Sequence, residues 1–275
     1  MAKNPMSQSH ELQLHIVKLN EIRSILNSMK NLALIETHKL ARLQSLQTQA
    51  VAAIDTVIND LLAFYPHLAI ADNHAPSICL LVGTERGFCG DFNEQLIHAS
   101  TAQNYTHTIA VGSRLANKLT DQQLQNVTII EGANVAEEVP LIINRLIDNI
   151  APAHHSAIRL TAIYYDSPAQ PISQRQLLPL SPQPSSIANH RHPPYLNLSP
   201  EVFFADLLGH YLLATLHNIL YCSLSTENHR RLQHLEGAVN HLDDETTNLH
   251  RKVQIYRQEE ITEEIEVILL NAENL

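Results

Sequence analysis

The chain has no tryptophan in its 275 residues, and aromatic residues make up only 5% of it. That is thin for a large globular core and suits helices packed through Leu, Ile and Ala. Cysteine is nearly as scarce. Cys79, Cys89 and Cys222 are too few and too scattered for a disulfide framework or a zinc site, so reduced thiols are expected. No apolar run approaches the roughly 18 residues of a membrane-spanning helix, and no spanning segment is expected. Met1 to His10 is polar, without a signal-peptide core or an Arg-rich transit pattern, which points to a cytosolic, bacterial chain. A basic excess is also missing. The net charge is −10, with no basic stripe, which argues against nucleic acid as a partner.

Glycine and proline are missing where they matter most. Glu11 to Tyr65 contains neither, and His210 to Leu275 has no Pro and a single Gly, Gly237. Uninterrupted helices of that length would run roughly 80 to 95 Å, longer than the interior of a compact domain. They must pack on each other or project into something else, which suits a mechanical or assembly part better than a self-contained enzyme. Apolar residues recur at three- and four-residue spacing: Leu12, Ile16, Leu19, Ile22, Leu26 and Met29, continued by Leu32, Ile35 and Leu40. The last segment repeats this more loosely through Leu224, Leu232, Leu235, Leu242, Leu249, Val253 and Tyr256, closing with Ile261, Ile265, Ile268 and Leu269. Each stripe is narrow, close to a heptad seam. An antiparallel pair joined through the middle is the simplest arrangement.

Charge is unevenly placed. Residues 1–75 carry six basic and six acidic side chains, 76–200 seven and nine, and 201–275 five and thirteen. The acidic last segment reads as a solvated face or as a face that meets basic partner surfaces.

The middle, about 76–180, changes period. Ser77–Gly83, His107–Gly112, Val127–Ile130 and Ala157–Tyr165 read as strands; Asp91–Gln103, Ser113–Leu124 and Val135–Asn149 read as helices. Strand–helix alternation with runs apolar on both faces predicts a parallel sheet covered by helices. Ser167 to Pro200 is Pro-rich, a loop or edge hairpin followed by a connector. The fold class is therefore α/β: a long antiparallel coiled coil of the two terminal helices plus a central doubly wound (Rossmann-like) domain. The expected divisions are 1–75, 76–195 and 196–275.

The turn Thr84-Glu85-Arg86-Gly87-Phe88-Cys89-Gly90-Asp91 lies between the first strand and a helix, where doubly wound folds bind phosphates. It has neither the GxGxxG spacing nor a following Gly-Lys-Ser/Thr. It reads as a tight turn in which Gly87 and Gly90 supply backbone freedom. Cys89 has no assignable base and reads as a packed thiol. The 17 histidines include His154-His155, His190-Arg191-His192, and His234 with His241, but no spacing supplies a converging third metal ligand. Asp243-Asp244, Glu259-Glu260 and Glu263-Glu264 are adjacent on a helix, so their carboxylates diverge. No catalytic residue, cofactor or metal site is expected.

Several segments together resemble the gamma subunit of rotary ATP synthases. Cys79 to Asn93 (CLLVGTERGFCGDFN) is similar to that family's apolar strand followed by Ser/Thr-Asp/Glu-Arg-Gly-Leu-Cys-Gly-Gly-Leu-Asn. Tyr256 to Ile265 (YRQEEITEEI) is similar to its Arg-Gln-x-x-Ile-Thr-x-Glu signature. Gln176–Leu180 looks like the segment closing its central domain, and Ser28-Met29 with Leu32-Ala33 resembles Ala-Met-x-x-Val-Ala. The resemblance covers essentially the whole chain. It implies a central rotor shaft of a proton- or sodium-translocating ATP synthase. The terminal helices would stand inside a hexamer of alpha and beta subunits, with the central domain at the foot against epsilon and the membrane c-ring. Catalysis would belong to the beta subunits. The chain would be peripheral, on the cytoplasmic face of the bacterial inner membrane, associated with the membrane only through the complex. By the same resemblance Arg257, Gln258 and Thr262 would contact a beta-subunit loop, Met29 would lie near the beta-subunit lever, and Arg86, Gly87, Cys89 and Gly90 would form the structural turn.

A shaft must be long and stiff, and a surface free of large apolar patches would let it slide; the narrow stripes predict both. The chain also departs from the family pattern. Asp91 stands where a second Gly is usual and Phe88 where Leu is usual. The basic run of the first helix is reduced to Lys30, Lys39 and Arg42, with Glu36 among them. These departures point to a divergent gamma, of the kind found in a second ATPase operon such as the sodium-type group. Two other classes fit the composition: a free-standing coiled-coil adaptor with an α/β binding module, and a small enzyme using the Thr84–Asp91 turn.

Overall fold

A computed structural model describes residues 5–69, 75–101, 103–121, 126–150, 158–180 and 192–273. His154, His155, His190 and Arg191 lie outside them. The elements in order are α1 (Pro5–Phe64), β1 (Ser77–Val82), α2 (Phe92–Thr101), β2 (His107–Val111), α3 (Ser113–Asp121), β3 (Val127–Ile130), α4 (Val139–Ile150), β4 (Arg159–Tyr165), β5 (Ile172–Leu178) and α5 (Pro200–Glu273). The last helix starts ten residues before the Pro-free, Gly-poor stretch that opens at His210. Pro200 opens it where a missing N–H costs nothing, and Ser199 Oγ accepts from Val202 N at 3.4 Å as its cap. The chain divides into two compact units, Ala33–Arg231 and Met1–Leu32 with Leu232–Leu275.

The unit Ala33–Arg231 is built on a five-stranded sheet of order β3-β2-β1-β4-β5. The first four strands are parallel, and β5 returns antiparallel along β4. β5 is the edge hairpin expected in the Pro-rich stretch, held between Pro171 and Pro179, which end pairing because proline has no N–H for the ladder. The register places Leu80 between Ile109 of β2 and Ala162 of β4. Successive side chains alternate faces. Cys79 and Leu81 join Ala110, Ile163 and Tyr165 under α2 and α3. Ile78, Leu80 and Val82 join Ile109, Val111, Leu160 and Ala162 against α4, Leu40 of α1, and Leu216, Ile219 and Leu220 of α5. Burial on both faces explains why these strands lack polar alternation. Each such Leu or Ile contributes roughly 1.5–3 kcal/mol of transfer free energy.

The other unit pairs residues 5–32 of α1 with residues 232–273 of α5. Arg23 Nη2 donates to Asp243 Oδ2 at 3.3 Å, Lys30 approaches Glu236 at 3.9 Å and His15 approaches Glu245 at 3.9 Å. Partner numbers fall as α1 numbers rise, so the pair is antiparallel, as expected. The seam is thinner than the sequence stripes suggest. Ile16, Leu19, Leu235, Val239 and Val253 are buried, whereas Ile22 and Leu32 are 47% and 62% exposed. A two-helix contact covers about two positions per heptad, and a straight helix drifts about 20° per heptad from a strict seam, so alternate stripe members rotate outward.

The surface also differs from the expected one. Ile261, Ile265, Ile268 and Leu269, expected to close the buried stripe, are all more than half exposed, as are Ile255, Val267 and Leu270. The far end of α5 is an apolar surface flanked by Glu259, Glu263, Glu264 and Glu266.

Candidate functional site

The carboxyl end of β1 is where a doubly wound sheet opens its ligand crevice, because the chain turns to one side for β2 and to the other for β4. Here that crevice is filled by the chain's own side chains. Thr84 is locked by Asn93: Thr84 N donates to Asn93 Oδ1 at 3.0 Å, and Asn93 Nδ2 donates to Thr84 Oγ1 at 2.8 Å. Glu85 turns across the neighbouring strand ends. Its carboxylate accepts from Ser113 N at 2.9 Å, Ser113 Oγ at 2.6 Å and Gly132 N at 2.7 Å. It thus caps the N-terminus of α3, the place where a bound anion would otherwise sit. Gly112, between β2 and α3, has φ +115°, and a Cβ there would lie 2.6 Å from Thr84 O.

A second carboxylate arrives from α5. Glu227 accepts from Glu85 N at 3.4 Å and from Arg86 N at 3.2 Å, and it pairs with Arg231 one helical turn on. Arg231 also donates from Nε to Gly87 O at 3.1 Å and from Nη1 to Asn228 Oδ1 at 2.8 Å. Glu227 and Arg231 are 3% and 5% exposed. Burial pushes the Glu227 carboxyl above the usual range, and the Arg231 guanidinium and the backbone N–H groups of Arg86 and Glu85 oppose that rise. Ser223 Oγ donates to Val82 O at 3.2 Å, fixing α5 to the last residue of β1.

The residues expected in the turn are all here, though not all in the expected roles. Arg86 donates from its backbone to Glu227 and from Nε to Asn134 Oδ1 at 2.7 Å. Gly90 takes a left-handed backbone, φ +62°. Gly87 does not supply the expected freedom, and a Cβ there would meet nothing within 4 Å. Phe88 takes the left-handed conformation instead, at φ +65°. Burial raises the Cys89 thiol to about 12, with Glu227 adding to the rise, so Cys89 is a packed thiol and no nucleophile. Asp91 pairs with Arg230 at 3.1 Å, and the Arg230 guanidinium lies 4.7 Å from the Tyr165 ring centroid. That pair gives the unusual Asp91 a partner.

The charged residues of α1 are also engaged internally. Glu36 accepts from Ala136 N at 2.6 Å, and Lys39 pairs with Glu137. Sequence reasoning missed Glu227, Arg231, Glu36 and the capping role of Glu85. One signal was available: Glu227 and Arg231 stand four residues apart just after the apolar run Ile219–Leu224.

Arg257, Gln258 and Thr262 are exposed on α5, and Thr262 Oγ1 donates back to Gln258 O at 2.8 Å. Met29 is half-buried on α1, next to Lys30, which pairs with Glu236. The Arg257 patch therefore lies about 20 residues, or roughly 30 Å, further along α5 than the level of Met29, and the structure does not bring them together. Among the described residues no group of three or more His, Cys, Asp or Glu side chains could hold a metal ion, and no helix is long and apolar enough to cross a membrane.

The chain thus sets a doubly wound domain with a self-filled crevice between two long helices that pair antiparallel. The family model described as ATP synthase matches residues 8–275. The ATP synthase gamma chain of Clostridium perfringens is 22% identical over 281 residues, 96% of each chain, and that of Campylobacter lari is 24% identical over 305 residues, 98% of this chain and all of that one. Among solved structures, a chain of the Euglena gracilis mitochondrial ATP synthase OSCP/F1/c-ring assembly matches with TM-score 0.60 at 13% identity, covering 97% of this chain and 94% of that one. A chain of the rotor of the same enzyme matches with TM-score 0.58 at 14% identity, covering 93% and 99%. The chain belongs to the ATP synthase gamma-subunit family.

Proposed function

We propose that the chain is the central rotor shaft of a proton- or sodium-translocating ATP synthase, coupling c-ring rotation to conformational change in catalytic beta subunits. The carrying observation is the family match over residues 8–275, which spans both long helices and the domain between them. The alpha and beta subunits would surround the paired helices, and the central domain would meet epsilon and the c-ring. In this reading the shaft is 1–75 with 196–275, the foot is 76–195, and the complex sits on the cytoplasmic face of a bacterial inner membrane. The chain itself is non-catalytic. The two carboxylates in the β1 crevice support that, since they occupy the places a nucleotide's phosphates would need. Arg257, Gln258 and Thr262 would meet a beta-subunit loop, and Met29 its lever. The exposed apolar end of α5 would be covered by the hexamer.

The test is reconstitution with the ATP synthase alpha and beta subunits of the same organism. ATP-driven rotation of a probe fixed to the central domain is expected. Assembly without rotation, or no assembly, overturns the reading. Truncation after Gln254 removes the Arg257–Thr262 contacts and should weaken coupled synthesis, and unchanged synthesis refutes that assignment.

A further inference from the structure

We infer that the turn after β1 is an oxyanion-binding cradle and that the chain occupies it with its own ligand, the Glu227 carboxylate. The cradle presents donors only. The N–H groups of Glu85 and Arg86 reach Oε2 and Oε1 of one carboxylate at 3.4 and 3.2 Å, and the Arg231 guanidinium shares Oε1 with Arg86 N. It stands at the carboxyl end of β1, flanked by β2 and β4, where this topology places anionic ligands. Glu227 and Arg231 are both buried away from bulk solvent. A neutral occupant would leave a guanidinium out of water without a counter-charge. The ligand class is therefore a small oxyanion, carboxylate or phosphate. Because Glu227 is tethered on α5, it meets the cradle at an effective concentration in the millimolar range or above, and a free anion must displace it. The α5 helix is thus fastened to the end of β1 by a ligand-to-site bond as well as by apolar packing. This inference does not depend on the rotor reading.

The test is chemical rescue of the full chain carrying Glu227→Ala. The deleted atoms are those of acetate. Thermal unfolding is followed in sodium acetate, sodium phosphate and sodium chloride at equal ionic strength and pH 7.5. The wild type gives the generic salt effect, in which kosmotropic anions stabilise more than chloride, and the variant is read as the difference from it. The variant should gain stability saturably in acetate: at ten times the dissociation constant its folded-to-unfolded ratio rises about elevenfold, a Tm rise of roughly 3–6 °C. A parallel rise in phosphate widens the ligand class to tetrahedral oxyanions, and a rise in acetate alone restricts it to carboxylates. If the variant folds only with an oxyanion present, the inference also stands. It is overturned if neither oxyanion stabilises the variant beyond its effect on the wild type, or if no salt yields folded protein. It is also overturned if the acetate response persists in Glu227→Ala with Arg231→Met, because the anion then binds elsewhere.

Discussion

Replacing Arg231 by Met keeps the volume of the side chain and removes its charge from beside Glu227. Breaking one partner of a buried pair costs about 3–5 kcal/mol, because the remaining charge is stranded. The bonds to Gly87 O and Asn228 Oδ1 are lost as well. The stranded charge gives the loss a pH dependence of known sign. Burial already raises the Glu227 carboxyl, and Arg231 is the foremost group lowering it. Without Arg231 the folded-state value climbs further. A carboxyl that holds its proton more tightly folded than unfolded loses stabilising power as pH rises from its unfolded to its folded value. The deficit of Arg231→Met relative to wild type should therefore be largest at pH 8 and shrink towards pH 5, by about 1.4 kcal/mol per unit of the pKa rise traversed. Urea unfolding of the full chain at both pH values measures it. Adding Glu227→Gln should recover part of the loss at pH 8, since no charge is then stranded. A deficit equal at both pH values, or a double variant no better than the single, refutes the account.

Phe88→Asn should stabilise the chain by up to about 1 kcal/mol in urea unfolding. Phe88 is 52% exposed and held at φ +65°, a conformation that Asn adopts more readily. Gly112→Ala should cost more than about 2 kcal/mol, since its backbone is left-handed and Thr84 O stands in the way; a loss under 0.5 kcal/mol contradicts the close approach. Cys79, Cys89 and Cys222 are all buried with thiols raised to about 12. A thiol reagent at pH 8 should label none of them in the folded chain and all three in urea.

The strands were legible because β1, β2 and β4 are apolar on both faces, a pattern few other elements share. β5 was less so, since Ser173-Gln174-Arg175-Gln176 is polar and only its pairing with β4 makes it a strand. The end of the Pro-rich connector at Pro200 marked the start of α5, although the exposed helical Gly209, which costs about 1 kcal/mol against Ala, delays the Gly-poor run to His210. At the crevice the turn was visible as a motif, but its occupant was not. Glu227 lies 141 residues from Arg86 in sequence, and no local pattern encodes a contact over that separation. The depleted basic run of α1 was read as a mark of divergence, and nothing local showed that Glu36 and Lys39 serve the domain's own backbone and surface. The seam was over-read because spacing alone does not show how wide a face the partner helix covers.

The apolar end of α5 bears on how the cell must make this chain. Seven Ile, Val and Leu side chains between Ile255 and Leu270 stand more than half exposed, and such a surface is an aggregation liability when uncovered. A copy left with that surface uncovered would be prone to self-association and to proteolytic clearance. If the proposed hexamer covers it, balanced expression with those subunits is a demand placed on the gene by the last turns of one helix.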